Sequence, residues 1–195
     1  MENTKKIIIR RAVLDDAKAL LRIYSPYVSK TAITFEYEVP MLEEFTNRMR
    51  HTLKKYPYLV AESDGEIVGY AYAGAFKARA AYDWAVETTV YVDNTRKKQG
   101  IGKQLYAALE KILARQNILN LYACIAYPQI EDEYLSKDSV EFHQHLGYQK
   151  VGEFHKCGYK FHRWYDMVWM EKKIGSHVEN QLPVKIFDEA YDKIP

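Results

Sequence analysis

Residues 96–109 read RKKQGIGKQLYAAL. Arg96, Lys97, Lys98 and Lys103 surround Gly100 and Gly102, and an apolar helical stripe follows through Ile101, Leu105, Ala108, Leu109, Ile112 and Leu113. Immediately upstream, DWAVETTVYVD (83–93) alternates as a strand does. Val86, Thr88, Val90 and Val92 share one face; Glu87, Thr89 and Tyr91 share the other. A strand that turns through glycines and cations into a helix presents that helix's unpartnered N–H groups and the positive end of its dipole. Glycine lets a ligand approach the backbone closely. A pyrophosphate suits such a place, and so does a plain strand-to-helix turn with a solvated basic face.

Two familiar phosphate cradles fail on spacing. A P-loop needs glycine where Lys97 stands and serine or threonine where Gln104 stands. A dinucleotide fingerprint needs a third glycine where Leu105 stands.

Working outward, KKIIIRRA reads as a first strand and LDDAKALLRIYSPYV as a helix opening at Asp15 or Asp16. TAITFEYE (31–38) is β-branched and aromatic, which predicts extended chain. Met41, Phe45, Met49 and Leu53 fall on one helical stripe. YPYLVAES and EIVGYAYAGAF flank Asp64-Gly65 as a hairpin. LNLYACIAY predicts a strand, KDSVEFHQHLGY a short helix, and YQKVGEFHK and WYDMVWMEKK two closing strands. In the short helix, Asp138 and Glu141 resemble a capping box and Gly147 a C-cap. Hairpins predominate over strict βαβ alternation, so the class is mixed α/β and not a doubly wound parallel sheet.

At 195 residues the chain suits one domain. A net charge of +2 argues against a dedicated nucleic-acid binder. No run approaches the roughly 20 apolar residues of a spanning helix, and the N-terminus lacks a signal-peptide pattern. Cys124 and Cys157 have no metal spacing and read as reduced thiols of a cytoplasmic protein. His155-x-Cys157 is too sparse for a metal site, so no metal is expected.

The glycine loop resembles the acetyl-CoA loop of the GNAT acetyltransferase superfamily, Gln/Arg-x-x-Gly-x-Gly/Ala after a long strand. Here the first place is Lys97, a departure that keeps the charge. FKARAAYDWAVETTVYVD (76–93) is similar to the phosphinothricin acetyltransferase branch, as are TAITFE, YPYLVAE, GYAYAGAF, FHQHLGY and GYKFHRWYDMVWME. Together these cover roughly residues 6 to 172. The resemblance implies a GNAT fold: a mixed, mostly antiparallel sheet, splayed in the middle and flanked by helices. Residues 1–172 would form the acetyltransferase domain and 173–195 an extension of unknown role.

The resemblance also implies a site. Pantetheine would pair with the backbone of Val90, Tyr91 and Val92. The pyrophosphate would meet the loop Lys97, Lys98, Gln99, Gly100, Ile101, Gly102 and Lys103. Ser136 stands where many relatives carry an asparagine on the cofactor; a helix-cap role suits it equally. Glu87, a carboxylate in an apolar strand, is the candidate base, because burial raises a carboxyl pKa; a paired charge at a sheet edge is the alternative. His143 occupies the place where many members put a tyrosine acid; acid, base or packing residue all stay open. Phe35, Lys77, Arg79, Tyr82 and Tyr91 match acceptor positions, and the two cations would suit an anionic amino-acid analogue. The expected activity is acetyl transfer from acetyl-CoA to a small amine such as phosphinothricin or methionine sulfoximine, by a cytoplasmic homodimer. A protein N-terminal or lysine acetyltransferase and a non-catalytic CoA-binding module are the competing readings.

Overall fold

Near-continuous burial along the central strands Tyr58–Ser63 and Glu66–Ala75 and apolar stripes on the helices build one sheet covered on both faces. The computed structural model describes residues 6–191. Its strands are β1 (Ile7–Arg11), β2 (Tyr58–Ser63), β3 (Glu66–Ala75), β4 (Ala85–Val92), β5 (Asn120–Tyr127), β6 (Gln149–Lys160) and β7 (Arg163–Lys173). Its helices are α1 (Ala17–Lys30), α2 (Leu42–Leu53), α3 (Ile101–Arg115), α4 (Asp138–His145) and the single turn α5 (Phe187–Ala190). The strand order is β1-β2-β3-β4-β5-β7-β6. On one face the α3 stripe packs with Leu59, Val86, Leu121 and Val168; on the other, α1 and α2 bury Leu20, Phe45 and Met49 against Tyr58 and Tyr70. Among the described residues no helix is long and apolar enough to cross a membrane.

All pairings are antiparallel except β4 with β5. That parallel pair holds for only three registers, Ala85–Asn120, Val86–Leu121 and Glu87–Tyr122. Beyond Glu87, β4 stays with β3 as far as Val92, while β5 stays with β7 as far as Tyr127. The two halves of the sheet therefore part at Glu87 and leave a wedge between them.

Several sequence expectations need correction. TAITFEYE forms no strand; residues 31–40 are a coil between α1 and α2. Its polar groups are met by single contacts instead of a ladder: Ala32 N–H donates to Tyr134 O at 3.0 Å, and Lys160 donates to Thr34 O at 2.7 Å. The capping box is absent, because α4 begins one residue earlier than that motif requires. Lys137 is the N-cap, its own side chain makes no capping hydrogen bond, and Glu141 N–H donates to Lys137 O. The first helix starts at Ala17 after a 3-10 turn, in which Asp16 accepts from Val13 N–H at 2.8 Å. β6 runs on to Lys160, past a bulge between Phe154 and Gly158 that hides the alternation.

The C-terminal segment docks on the body. Phe187 is 1% exposed in the α3 core, and Asn117 and Gln116 side chains donate to the carbonyls of Pro183 and Lys185. The readings for residues 1–5 and 192–195 lie outside the described residues.

Candidate active site

The wedge opens into a cleft of about 820 Å³. Its walls come from α1, the coil after it, β4, the start of α3, β5 and α4. Of the expected cofactor residues, Val90, Tyr91, Val92, Lys97, Lys98, Gly100, Ile101, Gly102, Lys103 and Ser136 line it; Gln99 does not.

At one end stands the basic loop. Asp93 accepts from Thr95 N–H at 2.9 Å and starts the turn. Lys98 (φ 62°) and Gly100 (φ 76°) then take left-handed conformations, which cost glycine little and turn the chain sharply into α3. The first helical bond runs from Gln104 N–H to Gly100 O, so the N–H groups of Ile101, Gly102 and Lys103 precede any intrahelical carbonyl. With Arg96, Lys97, Lys98 and Lys103 around it, this end attracts an anion. Ser136 Oγ accepts a long bond of 3.4 Å from Asp138 N–H at the start of α4, and the residue lines the cleft.

Glu87 sits where the strands part. It is half-buried, and burial raises its pKa above the ordinary 4.5, with the charge of Lys77 pulling the other way. Cys124, on the neighbouring strand, opens to the same cleft; desolvation by the surrounding protein pushes its thiol up to about 12, with the Glu87 charge adding to the rise.

His143 lies deeper. Its Nδ1 donates to Ser139 O at 2.7 Å, so Nε2 accepts from the Tyr106 hydroxyl at 2.8 Å. That hydroxyl also meets Thr88 Oγ1 at 3.2 Å, and Thr88 meets Tyr148 at 3.1 Å. Burial lowers the His143 pKa to about 4. The neighbouring His145 is exposed. Sequence reading missed Tyr106, which lines the cleft from α3; its signal is a tyrosine one turn after Gly102 on a buried helix face.

The acceptor residues divide. Phe35 and Tyr91 line the cleft, Tyr91 with its ring edge-on to Tyr24 and Tyr27 at 4.9 and 5.0 Å. Lys77, Arg79 and Tyr82 do not line it. The chain leaves the sheet after Ala75, and all three lie exposed on the β3–β4 connection. The Lys77 ammonium lies over the Phe76 and Trp169 rings at 4.9 and 5.7 Å, and Tyr82 stands edge-on to Phe76.

Glu153, His155 and Asp166 offer ligand atoms within 4.8 Å of one another, a cluster that needs β7 and so escaped the linear spacing. Asp166 is already engaged by Lys156 N–H, His155 and Gln129.

Residues 9–169 match the acetyltransferase (GNAT) domain family. The chain belongs to the GNAT acetyltransferases. It is 34% identical over 168 residues to a phosphinothricin N-acetyltransferase of Streptomyces viridochromogenes, covering 86% of this chain and 88% of that one. It is 32% identical to an L-methionine sulfoximine/L-methionine sulfone acetyltransferase of Pseudomonas aeruginosa, covering 84% of this chain and 92% of that one. A phosphinothricin acetyltransferase of Sinorhizobium meliloti, solved in complex with acetyl-CoA, superposes with a TM-score of 0.82 at 28% identity, covering 93% of this chain and 98% of that one. This GNAT protein is an acetyl-CoA-dependent N-acetyltransferase of the phosphinothricin acetyltransferase-like branch. The residues present fit that cosubstrate: an anion-attracting helix start lies beside a strand whose wedge-side edge, from Thr88 to Val92, pairs with no other strand among the described residues.

Proposed function

We propose that the enzyme acetylates the α-amine of a small amino acid or amino-acid analogue, phosphinothricin and methionine sulfoximine among them, with Glu87 as general base. One observation carries this reading. The carboxylate with a raised pKa stands at the vertex of the wedge, in the same cleft as the basic loop. An alkyl ammonium has no lone pair, and with a pKa near 10 it is mostly protonated at neutral pH. A half-buried carboxylate, lifted toward neutrality, takes that proton more effectively than an exposed one.

Acetyl-CoA would supply the thioester carbonyl: as the freed amine forms the C–N bond the C–S bond breaks, and coenzyme A leaves as the thiol with the proton the amine nitrogen gives up. The N–H groups of Ile101, Gly102 and Lys103, with Lys97, Lys98 and Arg96, hold the phosphates; the edge of Val90, Tyr91 and Val92 orients the pantetheine arm. His143 is a positioning residue in this scheme. Both its nitrogens are engaged, and it stays neutral down to about pH 4, so it fixes the Tyr106 hydroxyl and takes up no second proton near neutrality. Phe35 and Tyr91 shape the acceptor end, and Lys77 tempers the charge of Glu87. Arg79 and Tyr82 reach the acceptor only if a second copy brings them there.

The proposed homodimer is supported by apolar side chains left open on the β6–β7 hairpin, namely Val151, Phe154, Tyr159 and Trp164. Two free thiols suit a reducing cytoplasm. The test is a panel of amino acids, their analogues, polyamines and peptides, each with acetyl-CoA and read by release of free thiol. Turnover confined to small α-amino acids and analogues supports the reading; turnover only on peptides overturns it.

A further inference from the structure

Residues 31–40 contain neither helix nor strand, yet Ile33, Thr34 and Phe35 form one wall of the cleft. A coil that walls a pocket needs holding from outside itself, because its backbone groups have no ladder to join. Tyr134 O accepts from Ala32 N–H and the Tyr24 hydroxyl meets Thr34 Oγ1, and two residues of β6 supply the rest of the hold around Phe35. Lys160 is only 4% exposed, and its ammonium donates to Val28 O and to Thr34 O, both at 2.7 Å. Val28 lies in the last turn of α1, where carbonyls lack helical partners and the dipole end is negative. One cation thus closes the end of α1 and pins the residue next to Phe35. Two positions earlier, Gly158 supplies the floor. A Cβ there would lie 2.2 Å from the Phe35 ring, so the ring rests on bare backbone. Tyr165 of β7 stacks on the same ring with centroids 6.5 Å apart.

We infer that Lys160 and Gly158 are positioning residues that set acceptor recognition by clamping the 31–36 wall from behind. Neither lines the cleft, so they act on substrate through Thr34 and Phe35. The inference rests on the reading that the Phe35 side of the cleft receives the amine. Neither residue belongs to the basic loop or the β4 edge, so the clamp governs the acceptor and leaves acetyl-CoA alone.

Lys160→Met keeps an unbranched side chain and removes the donor. Hydrogen bonds from a charged donor correspond to about 10- to 100-fold in an equilibrium. The acceptor KM is expected to rise by that factor, with calorimetric affinity for acetyl-CoA held within about twofold. Gly158→Ala leaves the lysine in place and displaces the ring, so it should raise the same KM. In a Phe35→Ala background it should add nothing, since the clash is gone. Hydrogen exchange gives a readout without turnover: amides of 31–36 should exchange about tenfold faster in whichever of Lys160→Met and Gly158→Ala folds, while those of α3 stay unchanged. An unchanged acceptor KM in active Gly158→Ala, or unchanged exchange at 31–36, overturns the clamp. A wild-type enzyme that acetylates no small amine overturns the proposed activity instead, and exchange alone then decides the clamp.

Discussion

Replacing Glu87 by glutamine keeps the side-chain shape and removes its basicity. The size of the effect follows from where the carboxylate stands. Burial lifts its pKa above 4.5, with Lys77 opposing, so it is a stronger base than an exposed glutamate. Without it, the acceptor must reach the cleft already deprotonated. For an amine of pKa near 10 that form is roughly one part in a thousand at pH 7, within the 10²- to 10⁴-fold usual for loss of a general base. Each unit of added pH raises that fraction about tenfold, so the variant should gain on the wild type by about that factor per unit up to pH 10. The assay is kcat/KM from thiol release between pH 5 and 10, with circular dichroism confirming the fold at each pH. Affinity for acetyl-CoA by calorimetry should not move, because the proposed phosphate and pantetheine contacts lie elsewhere in the cleft. The wild type should also lose activity as pH falls through the raised pKa of Glu87. His143 adds no limb above about pH 4, where it is already neutral. A variant-to-wild-type ratio that stays flat from pH 7 to about 10 refutes the reasoning and reduces Glu87 to an anchor or a brace.

Gly102→Val should weaken acetyl-CoA binding by about tenfold or more in calorimetry, and it should also lower the melting temperature. A Cβ at that position would already sit 3.1 Å from the Phe142 ring, so crowding of α4 adds to crowding of the phosphates. The pKa of His143 is depressed on folding, from 6.5 to about 4. The unfolded chain therefore binds the proton first, and stability present above pH 6.5 is lost as pH falls toward 4. From pH 7 to 5 that loss is about 2 kcal/mol, read as a falling urea midpoint and largely abolished in His143→Gln. Phe187→Ala, at a site 1% exposed, should cost about 3–5 kcal/mol in urea unfolding while leaving both KM values in place.

The order of strands and helices was legible because it rests on local patterns. The alternation of β4, the stripe of α3 and the Asp64-Gly65 turn all declare themselves within a dozen residues. TAITFEYE failed because strand propensity needs a neighbour to pair with. The sheet offers none there, whereas Lys160, more than a hundred positions away, offers a better partner for Thr34 O. The capping box failed because a one-residue shift in the helix start removes it. Glu87 and the glycine loop share the cleft because they bracket one strand. Arg79 and Tyr82 stay outside it because a connection's direction is not written in its composition. Tyr106 and the bond it gives His143 join two helices far apart in sequence, which linear spacing does not register.

The early parting of β4 and β5 leaves the protein with an unfinished seam in its interior. An open strand edge is ordinarily a hazard, an invitation to the nearest other chain. Here it faces inward, between walls from α1, α3 and α4, where a small molecule in the cleft can reach it. Completing the seam from outside the chain makes durability depend on supply. Each tenfold rise in free acetyl-CoA above its dissociation constant adds about 1.4 kcal/mol against unfolding.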